Sequence, residues 1–301
     1  YFQADNGING TELWKSDGTE AGTVMVKDIR SGLGSSSPIG FANINGTLYF
    51  QADNGINGTE LWKSDGTEAG TVMVKDIRSG FDGSGPIYFS NINNTLYFHA
   101  NNGISGWELW KSDGTEVGTV MVKDIRSGSG SSNPGYLTNV NDVLYFRADD
   151  GINGYELWKS DGTEVGTIMV KDIRGGATGS SPAYLTNVND VLYFRADDGI
   201  SGWELWKSDG TEVGTVMVKD IRNGAEGSYL EYLANVNNVL YFTANDGING
   251  TELWKSDGTE VGTAMVKDIR SGAEGSGPSN ITNINGILYF RANWQSGVGS
   301  E

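Results

Sequence analysis

The chain has 301 residues, 45 glycines, no cysteine and a formal net charge of −17. The negative charge disfavours nucleic-acid binding, which depends on Lys and Arg neutralising phosphates. The absence of cysteine excludes disulfides and thiolate zinc sites. No apolar run approaches the roughly 18 residues of a membrane-spanning helix, so no membrane insertion is expected. The compartment stays open between an extracellular or cell-surface location, which is favoured, and a cytoplasmic sensor.

An eight-residue core, Glu-Leu-Trp-Lys-Ser-Asp-Gly-Thr, recurs with a constant spacing of 48 residues. It starts at Glu12, Glu60, Glu108, Glu156, Glu204 and Glu252. A fixed period of this length indicates one supersecondary unit that is repeated. We therefore predict a single domain over residues 1–301, with repeats at 1–48, 49–96, 97–144, 145–192, 193–240 and 241–288 and a partial seventh copy at 289–301.

One repeat, taken in chain order, predicts four short strands. An Asn45-Gly46 pair, the strongest two-residue hairpin signal, separates the first two strands. A glycine-punctuated loop follows at 53–58, and Ser-Asp-Gly-Thr begins the next turn at Ser64. A long crossing then leads from Arg78 to the next repeat. The predicted strands are A (41–44), B (47–52), C (60–63) and D (71–77).

Both faces of this four-stranded meander carry large apolar groups. Leu48 and Phe50 point one way and Tyr49 the other, and the neighbours Leu61 and Trp62 lie on opposite faces. On strand D, Val72 and Val74 are expected on one face and Met73 and Ile77 on the other. A sheet that is apolar on both faces is covered most simply by copies of itself. We therefore predict an all-β, six-bladed β-propeller rather than a linear solenoid.

The chain ends suggest how such a ring closes. The C-terminal strand A would pair beside the N-terminal strands B, C and D in one composite blade, which removes the open edge. Strand B occurs seven times, whereas strands A, C and D each occur six times. Either residues 1–5 or residues 288–293 would therefore form strand B of the composite blade, and the other copy would be left loose. A closed ring of this kind is expected to be monomeric.

The motif Glu-Leu-Trp-x-x-Asp-Gly-Thr, followed by Gly-Thr-x-Met-Val-Lys-Asp-Ile, resembles the bacterial ELWxxDGT repeat family. The resemblance covers all six units, from residue 1 to about 292. It implies a long, repeat-bearing bacterial protein, secreted or attached to the cell surface, and it brings no established activity or catalytic residues. The Ser-Asp-Gly-Thr turn is loosely similar to the Asp box of sialidase-type propellers, from which only a structural role is expected.

The polar residues that recur in every repeat are interpreted as scaffold. Asp17 and its copies are expected to hold backbone amides in a tight turn. Arg30 and its copies begin the crossing, where they are expected to bridge blades. The remaining repeated charges are expected to form cross-strand pairs or to cap blade edges, and they are Glu12, Lys15, Lys27 and Asp28 with their copies.

Metal binding and catalysis have weak support in the sequence. Asp5, Asn9 and Glu12 and their copies are weak calcium candidates, because position 3 of the loop is a glycine and EF-hand spacing is not met. A plain turn is favoured, so no cofactor is expected. His99 is the only histidine, and every acid belongs to the repeat. No catalytic residue is predicted, although a sialidase- or glycosidase-like hydrolase stays an alternative.

The positions where the repeats differ predict a binding surface. They cluster where the B–C loops and the D–A crossings emerge, and they are rich in aromatics and Arg, the residue types that dominate binding hot spots. We therefore expect a non-enzymatic module that binds a glycan or protein, with a purely structural role as the alternative. The candidate ligand-binding residues are Trp107, Tyr155, Trp203, His99, Arg147, Arg195, Tyr88, Tyr136, Tyr184 and Tyr232.

Overall fold

A computed structural model describes residues 1–293. Residues 294–301, which belong to the predicted partial seventh copy, lie outside the described residues. The described chain is all-β, and none of it forms a helix long and apolar enough to cross a membrane. The strands build repeated four-stranded antiparallel sheets, as predicted.

The strands form seven separate sheets within the described residues. The first is β1-β2-β3, the last is β24-β25, and between them lie β4-β5-β6-β7, β8-β9-β10-β11, β12-β13-β14-β15, β16-β17-β18-β19 and β20-β21-β22-β23. The strand bounds are β1 (Phe2–Asp5), β2 (Thr11–Lys15), β3 (Val24–Lys27), β4 (Ile39–Ile44), β5 (Thr47–Asp53), β6 (Thr59–Ser64), β7 (Val72–Lys75), β8 (Ile87–Ile92), β9 (Thr95–Asn101), β10 (Trp107–Ser112), β11 (Val120–Lys123), β12 (Gly135–Val140), β13 (Val143–Asp149), β14 (Tyr155–Ser160), β15 (Ile168–Lys171), β16 (Ala183–Val188), β17 (Val191–Asp197), β18 (Trp203–Ser208), β19 (Val216–Lys219), β20 (Glu231–Val236), β21 (Val239–Asn245), β22 (Thr251–Ser256), β23 (Ala264–Lys267), β24 (Ser279–Ile284) and β25 (Ile287–Arg291).

Local chemistry explains where the strands begin and end. The turn between β4 and β5 places Asn45 and Gly46 at φ 52° and 82°, the paired left-handed residues that a tight hairpin requires. The predicted strand D was too long, because β7 covers only Val72–Lys75. The Thr71 hydroxyl is instead buried against that of Ser64, at 2.7 Å.

Both copies of strand B at the chain ends are paired. β1 pairs with β2 and β25 pairs with β24, each antiparallel. Neither copy is loose in this structure, whereas the expected loose copy belongs to the composite blade. The composite blade that would join the two ends stays a prediction.

The chain divides into two compact units. The first comprises Tyr1–Asp142, Asp149–Gly151 and Asp161–Thr167. Within it, sheets that follow one another in the chain pack face to face. Leu48, Phe50 and Trp62 pack with residues of β2 and β3 on one side, and Tyr49 and Leu61 pack with residues of β9 and β10 on the other. The predicted division of the two faces is confirmed for these residues.

Ile77 departs from the predicted alternation. It packs in the same cluster as Val74, whereas it was expected on the opposite face with Met73. The reason is that β7 ends at Lys75, so the alternation of a strand no longer applies at Ile77.

The second unit comprises Val143–Ala148, Ile152–Ser160 and the chain from Ile168 onward. Its largest apolar cluster repeats the same arrangement. Tyr193 and Leu205 of the β16–β19 sheet pack against Leu240, Phe242 and Trp254 of the β20–β23 sheet. The two units are thus built by the same packing of one repeat on the next.

The glutamate of the repeated core is a buried anchor, which corrects its predicted role as a cross-strand partner or edge cap. Glu12 is fully buried, and its carboxylate accepts hydrogen bonds from Ile29 N (2.9 Å), Ser36 N (2.9 Å) and Ser36 Oγ (2.5 Å). The equivalent glutamates hold their own crossings in the same way. Burial raises the pKa of Glu108 and of Glu204 to about 7, although the hydrogen bonds that each carboxylate accepts lower it.

The repeated lysines join one repeat to the next rather than pairing across strands. Lys63 Nζ donates to the carbonyl of Gly114 at 2.8 Å, and Lys75 Nζ donates to the carbonyl of Thr119 at 2.8 Å. Both acceptors lie in or beside the C–D turn of the following sheet. The predicted bridging role of arginine is confirmed for Arg30, which follows β3 and forms a 2.6 Å ion pair with Asp53 at the end of β5, in the next sheet.

The turn aspartate has the predicted structural role. Asp65 Oδ1 accepts hydrogen bonds from the Thr67 amide (2.9 Å) and the Thr67 hydroxyl (2.7 Å). A Cβ at Gly70 would lie 2.1 Å from the same carboxylate oxygen, so this turn requires glycine for space. The Thr67 hydroxyl lowers the pKa of Asp65.

A Glu108→Gln substitution tests the buried anchor. The amide nitrogen of Gln would face either Ser132 N–H or Ile125 N–H, and two donors cannot satisfy each other. We expect a loss of about 1–3 kcal/mol in the free energy of unfolding, measured by chemical denaturation at pH 8, where Glu108 is ionised and accepts at both oxygens. Glu116→Gln, in the exposed C–D turn of the same repeat, is the matched control and should change little.

The pH dependence of this difference follows from the raised pKa. Folded Glu108 keeps its proton up to about pH 7, whereas the unfolded chain releases it near 4.5, so the stability contribution falls as the pH rises through this window. The advantage of the wild type over Glu108→Gln should therefore shrink between pH 4.5 and 7. A constant difference across that range would contradict the assignment.

Candidate functional site

The B–C loop and the D–A crossing of each repeat lie together at one end of its sheet, as predicted. In the first full repeat, Asn57 Nδ2 donates to Asp76 Oδ2 at 2.7 Å and Gly85 N donates to the carbonyl of Thr59 at 3.0 Å. Gly58 is required here, because a Cβ would lie 2.5 Å from the carbonyl oxygen of Phe81. We call this end of each sheet the variable rim.

Three positions of each sheet form what we call the rim stack. They are the second residue of strand A, the fifth residue of strand B and the first residue of strand C. All ten candidate ligand-binding residues occupy these positions. The full stacks are, in chain order, Gly40/Gln51/Thr59, Tyr88/His99/Trp107, Tyr136/Arg147/Tyr155, Tyr184/Arg195/Trp203 and Tyr232/Thr243/Thr251.

The stack of the β8–β11 sheet places a histidine between two aromatic rings. The His99 ring centroid lies 5.8 Å from that of Tyr88 and 4.7 Å from that of Trp107. His99 is only 7% exposed, and its Nδ1 lies 3.1 Å from the carbonyl oxygen of Pro134 in the following crossing. Burial lowers the pKa of His99 to about 4, so the ring is neutral at pH 7. It supports the aromatic neighbours rather than presenting itself at the surface.

Arginine takes the same middle position in the two stacks that follow. The Arg195 guanidinium lies 5.0 Å from the Tyr184 ring centroid and 4.6 Å from that of Trp203, and Arg147 lies 5.0 Å from that of Tyr155. Arg195 Nη1 also donates to the carbonyl of Leu230 at 3.4 Å, in the crossing that follows its sheet. These cation–π contacts hold the aromatic rings in fixed planes.

The stack tyrosines have a positive φ, a left-handed backbone conformation that residues other than glycine, asparagine and aspartate rarely adopt. Tyr88 has a φ of 60° and, although strained, is 57% exposed. The first and last repeats place Gly40 and Asn280, which tolerate this region, at the same position. The left-handed residue makes a bulge in strand A, with a register shift between Ile87 and Ser90. The remaining stack tyrosines with positive φ are Tyr136, Tyr184 and Tyr232.

The weak calcium candidates are each engaged in a different interaction. Asp5 Oδ1 accepts the Gly7 amide at 2.7 Å, and Asn9 Nδ2 donates to Asp28 Oδ2 at 2.7 Å. The Glu12 carboxylate belongs to the buried anchor. Among residues 1–293, no group of three His, Cys, Asp or Glu side chains could hold a metal ion.

A correlation within the sequence could have revealed the stacks. An aromatic first residue of strand C, at Trp107, Tyr155 and Trp203, is accompanied by His or Arg in the middle position. Where strand C begins with Thr59 or Thr251, the middle residue is Gln or Thr. The middle residue and the first residue of strand C vary together because their side chains touch, as His99 touches Trp107 and Arg195 touches Trp203. This pairing is visible only when the two positions are compared across the repeats, and not when each position is taken separately.

Comparison with solved structures supports the fold. The chain matches a structure from a study of two prolyl endopeptidases with a TM-score of 0.52, 12% identity and coverage of 94% of this chain and 42% of that one. Two further matches are a puromycin-hydrolyzing peptidase of Mycobacterium tuberculosis (TM-score 0.48, 12% identity, 96% and 46% coverage) and the computationally designed protein Ika8 (TM-score 0.45, 15% identity, 86% and 69% coverage).

No protein-family profile matches the chain, and a comparison with curated proteins returns no match. The chain spans less than half the length of the prolyl endopeptidase structure, and at 12% identity the likeness concerns the fold alone. The described residues form an all-β repeat protein of four-stranded antiparallel sheets, and its fold is similar to that of the β-propeller domains of peptidases.

The sole histidine gives a direct test of the stack. Folded His99 resists protonation down to about pH 4, whereas the unfolded chain takes up a proton near 6.5. The stability that neutral His99 contributes is therefore lost as the pH falls from 6.5 to 4. The His99→Gln variant should therefore lose less stability than the wild type as the pH falls over this range. Gln fits this buried position, because Gln51 occupies the equivalent one in the first full repeat.

Nuclear magnetic resonance can follow this one imidazole without assignment ambiguity. We expect a titration midpoint near 4 in the folded protein. A midpoint near the ordinary 6.5, or an equal loss of stability in the wild type and His99→Gln, would show that the ring is accessible to water and is not held inside the stack.

Proposed function

We propose that this chain is a non-enzymatic recognition module that binds a glycan or protein partner at the variable rim. The observation that carries the proposal is the exposed, left-handed tyrosine of the rim stack. A left-handed conformation is roughly 1–2 kcal/mol less favourable for a residue with a Cβ. Tyr88 adopts it while most of its ring faces solvent, so packing alone does not account for the residue. Residues in strained backbone conformations cluster at active sites and ligand-binding sites.

The chemistry of the rim suits flat, polar ligand surfaces. Tyr and Trp offer large rigid faces with a polar group at one edge, and they bind with little loss of side-chain entropy. The middle His or Arg orients these faces, as Arg195 does for Tyr184 and Trp203. Exposed apolar groups extend the surface into the crossings, with Leu33 and Phe81 more than four-fifths exposed.

We also assign the chain to the ELWxxDGT repeat family, on the six copies of its core motif. This assignment agrees with an extracellular or cell-surface role in a bacterium. It adds no catalytic residue.

Replacing the strained tyrosines tests binding without endangering the fold. Tyr88→Asn and Tyr184→Asn introduce the residue found at the equivalent Asn280, so each variant should be as stable as the wild type or up to about 1 kcal/mol more stable. We expect glycan-array or partner binding to fall at least about tenfold in the double variant. Val117→Ala, exposed in a C–D turn at the opposite end of the sheet, is the control and should bind normally.

The other outcomes identify the rival functions. Absence of any binding by the wild type, in glycan arrays and in pull-downs, would favour a purely structural module. Turnover of a glycoside that is lost when a single acid is replaced would favour the hydrolase. A Tyr88→Asn/Tyr184→Asn variant that binds its partner as tightly as the wild type does would show that the rim stacks are not the binding site.

We further propose that six such sheets close into a ring, with the N- and C-terminal strands paired in one composite blade. The constant period and the apolar groups on both faces of each sheet support closure. Tyr289 of β25 is 51% exposed, whereas its internal equivalent Tyr49 is 7% exposed. In the ring, the faces of β24 and β25 would be covered as the internal strands are.

Hydrogen exchange tests this closure. The ring predicts that amides of β25 exchange as slowly as those of β5, because β25 would then take the strand-B position beside β2 and displace β1 from it. Fast exchange confined to β24 and β25 would instead indicate a free hairpin and an open array.

A further inference from the structure

The fifth full repeat breaks the pattern of the others around an open cavity. The cavity has a volume of about 350 Å³ and lies at the variable rim of the β20–β23 sheet. It exists because the stack there holds Thr243 and Thr251, where the preceding sheet holds Arg195 and Trp203. The walls are Tyr229, Glu231, Tyr232, Thr243, Thr251 and residues 277–279.

The segment that forms one wall is the most divergent crossing in the chain. It reads Ser228-Tyr229-Leu230-Glu231-Tyr232, where four of the other five repeats have proline in place of Leu230 followed by Ile, Gly or Ala, and the last has proline followed by Ser. Tyr229 replaces Gly, Ser or Asn, and Glu231 is the only charged residue at its position. Two of these three consecutive departures from the repeat, Tyr229 and Glu231, line the cavity.

Both tyrosines of the cavity are held in strained backbone conformations and expose their rings. Tyr229 has a φ of 51° and Tyr232 a φ of 54°. The ring of Tyr229 already lies 5.9 Å from the Arg222 guanidinium, whose charge is compensated by an ion pair with Glu226. The aromatic walls therefore present electron-rich faces, one of which already has a cation nearby.

The charge of the cavity is set by Glu231. Its carboxylate has no ion-pair partner among residues 1–293, while its backbone carbonyl accepts the Thr243 hydroxyl at 3.3 Å. Thr243 is buried and in register with Glu231, which fixes the strand end that carries the carboxylate. Arg222 and Glu226 neutralise each other, and Glu231 is the one charged side chain among the described residues that line the cavity.

We propose that this cavity binds an organic ammonium group, with Glu231 as its counter-ion and Tyr229 and Tyr232 as aromatic walls. The volume is near the lower limit of small-molecule sites and suits one ammonium headgroup. The same chemistry occurs in a quaternary ammonium, an amino sugar and a lysine side chain. The proposal deepens the proposed recognition function, because the cavity lies at the same rim.

Calorimetric titration of the full chain distinguishes these sources. The probes are choline, glucosamine and Nα-acetyl-lysine amide, each compared with a neutral analogue such as 3,3-dimethylbutanol for choline and N-acetylglucosamine for glucosamine. We expect at least one ammonium probe to bind about tenfold more tightly than its neutral analogue. Equal affinity for all charged and neutral probes, or no binding by any of them, would overturn the proposal.

Two variants locate the binding at the cavity. Glu231→Gln removes the negative charge and should lower the affinity for the ammonium probe about tenfold. Thr251→Trp fills the cavity with the residue that Trp203 provides in the preceding sheet, so it should fold normally and abolish binding. Thr59→Trp makes the same change in the first full repeat and should leave binding unchanged. Unaltered affinity in both Glu231→Gln and Thr251→Trp would show that the probe binds elsewhere.

The two binding hypotheses fail independently. Tyr88→Asn/Tyr184→Asn leaves every residue of the cavity in place, and Glu231→Gln leaves both of those stacks in place. Loss of partner binding in the first variant with normal ammonium binding would support both functions separately. If the wild type binds its partner but no ammonium probe, only the proposal that the cavity binds an ammonium group would be overturned.

Discussion

The structure depends on a buried carboxylate that ties each repeat to the one that follows. Glu60 lies on strand β6 and accepts hydrogen bonds from the amide and hydroxyl of Ser84, 24 residues later in the crossing. The carbonyl of Ser84 in turn accepts the amide of Asn101, at the end of the next strand B. One side chain therefore fixes where the next sheet begins, and the same three-part connection recurs in other repeats. Without it, the crossing would be a long loop with no defined path.

This connection at the variable rim is matched by another at the opposite end of the sheet. There Lys63 and Lys75 donate to carbonyls of the following C–D turn, and the Tyr49 hydroxyl approaches Gly114 so closely that a Cβ there would lie 2.3 Å away. Between the two ends lie the apolar faces, which are buried only when a neighbouring sheet covers them. Stability in such an array is therefore shared between adjacent repeats rather than contained in any one of them.

The sequence was sufficient for the strands, the hairpins and the two apolar faces, because these depend on residues within a few positions of each other. Asn45-Gly46 and the alternation of Leu48, Tyr49 and Phe50 are examples. Burial of Glu12 was not predictable in this way, because its partner Ser36 is distant in the chain and nothing local distinguishes a buried carboxylate from a surface one. The left-handed tyrosines were missed for the opposite reason, since local preference argues against them and the surrounding bulge overrides it.

The division between constant and variable positions has a physical basis. The anchoring glutamate, the turn aspartate and the bridging lysines fix the path of the backbone. A substitution at any of them would therefore alter the backbone of two neighbouring sheets. The rim-stack side chains touch one another and a single neighbouring carbonyl, so they can change as a group without moving the backbone. Replacing Arg195 and Trp203 by threonines, as at Thr243 and Thr251, then leaves a cavity rather than a collapse. In this fold, new chemistry arises most easily where a stack loses its filling and the scaffold beneath it stays intact.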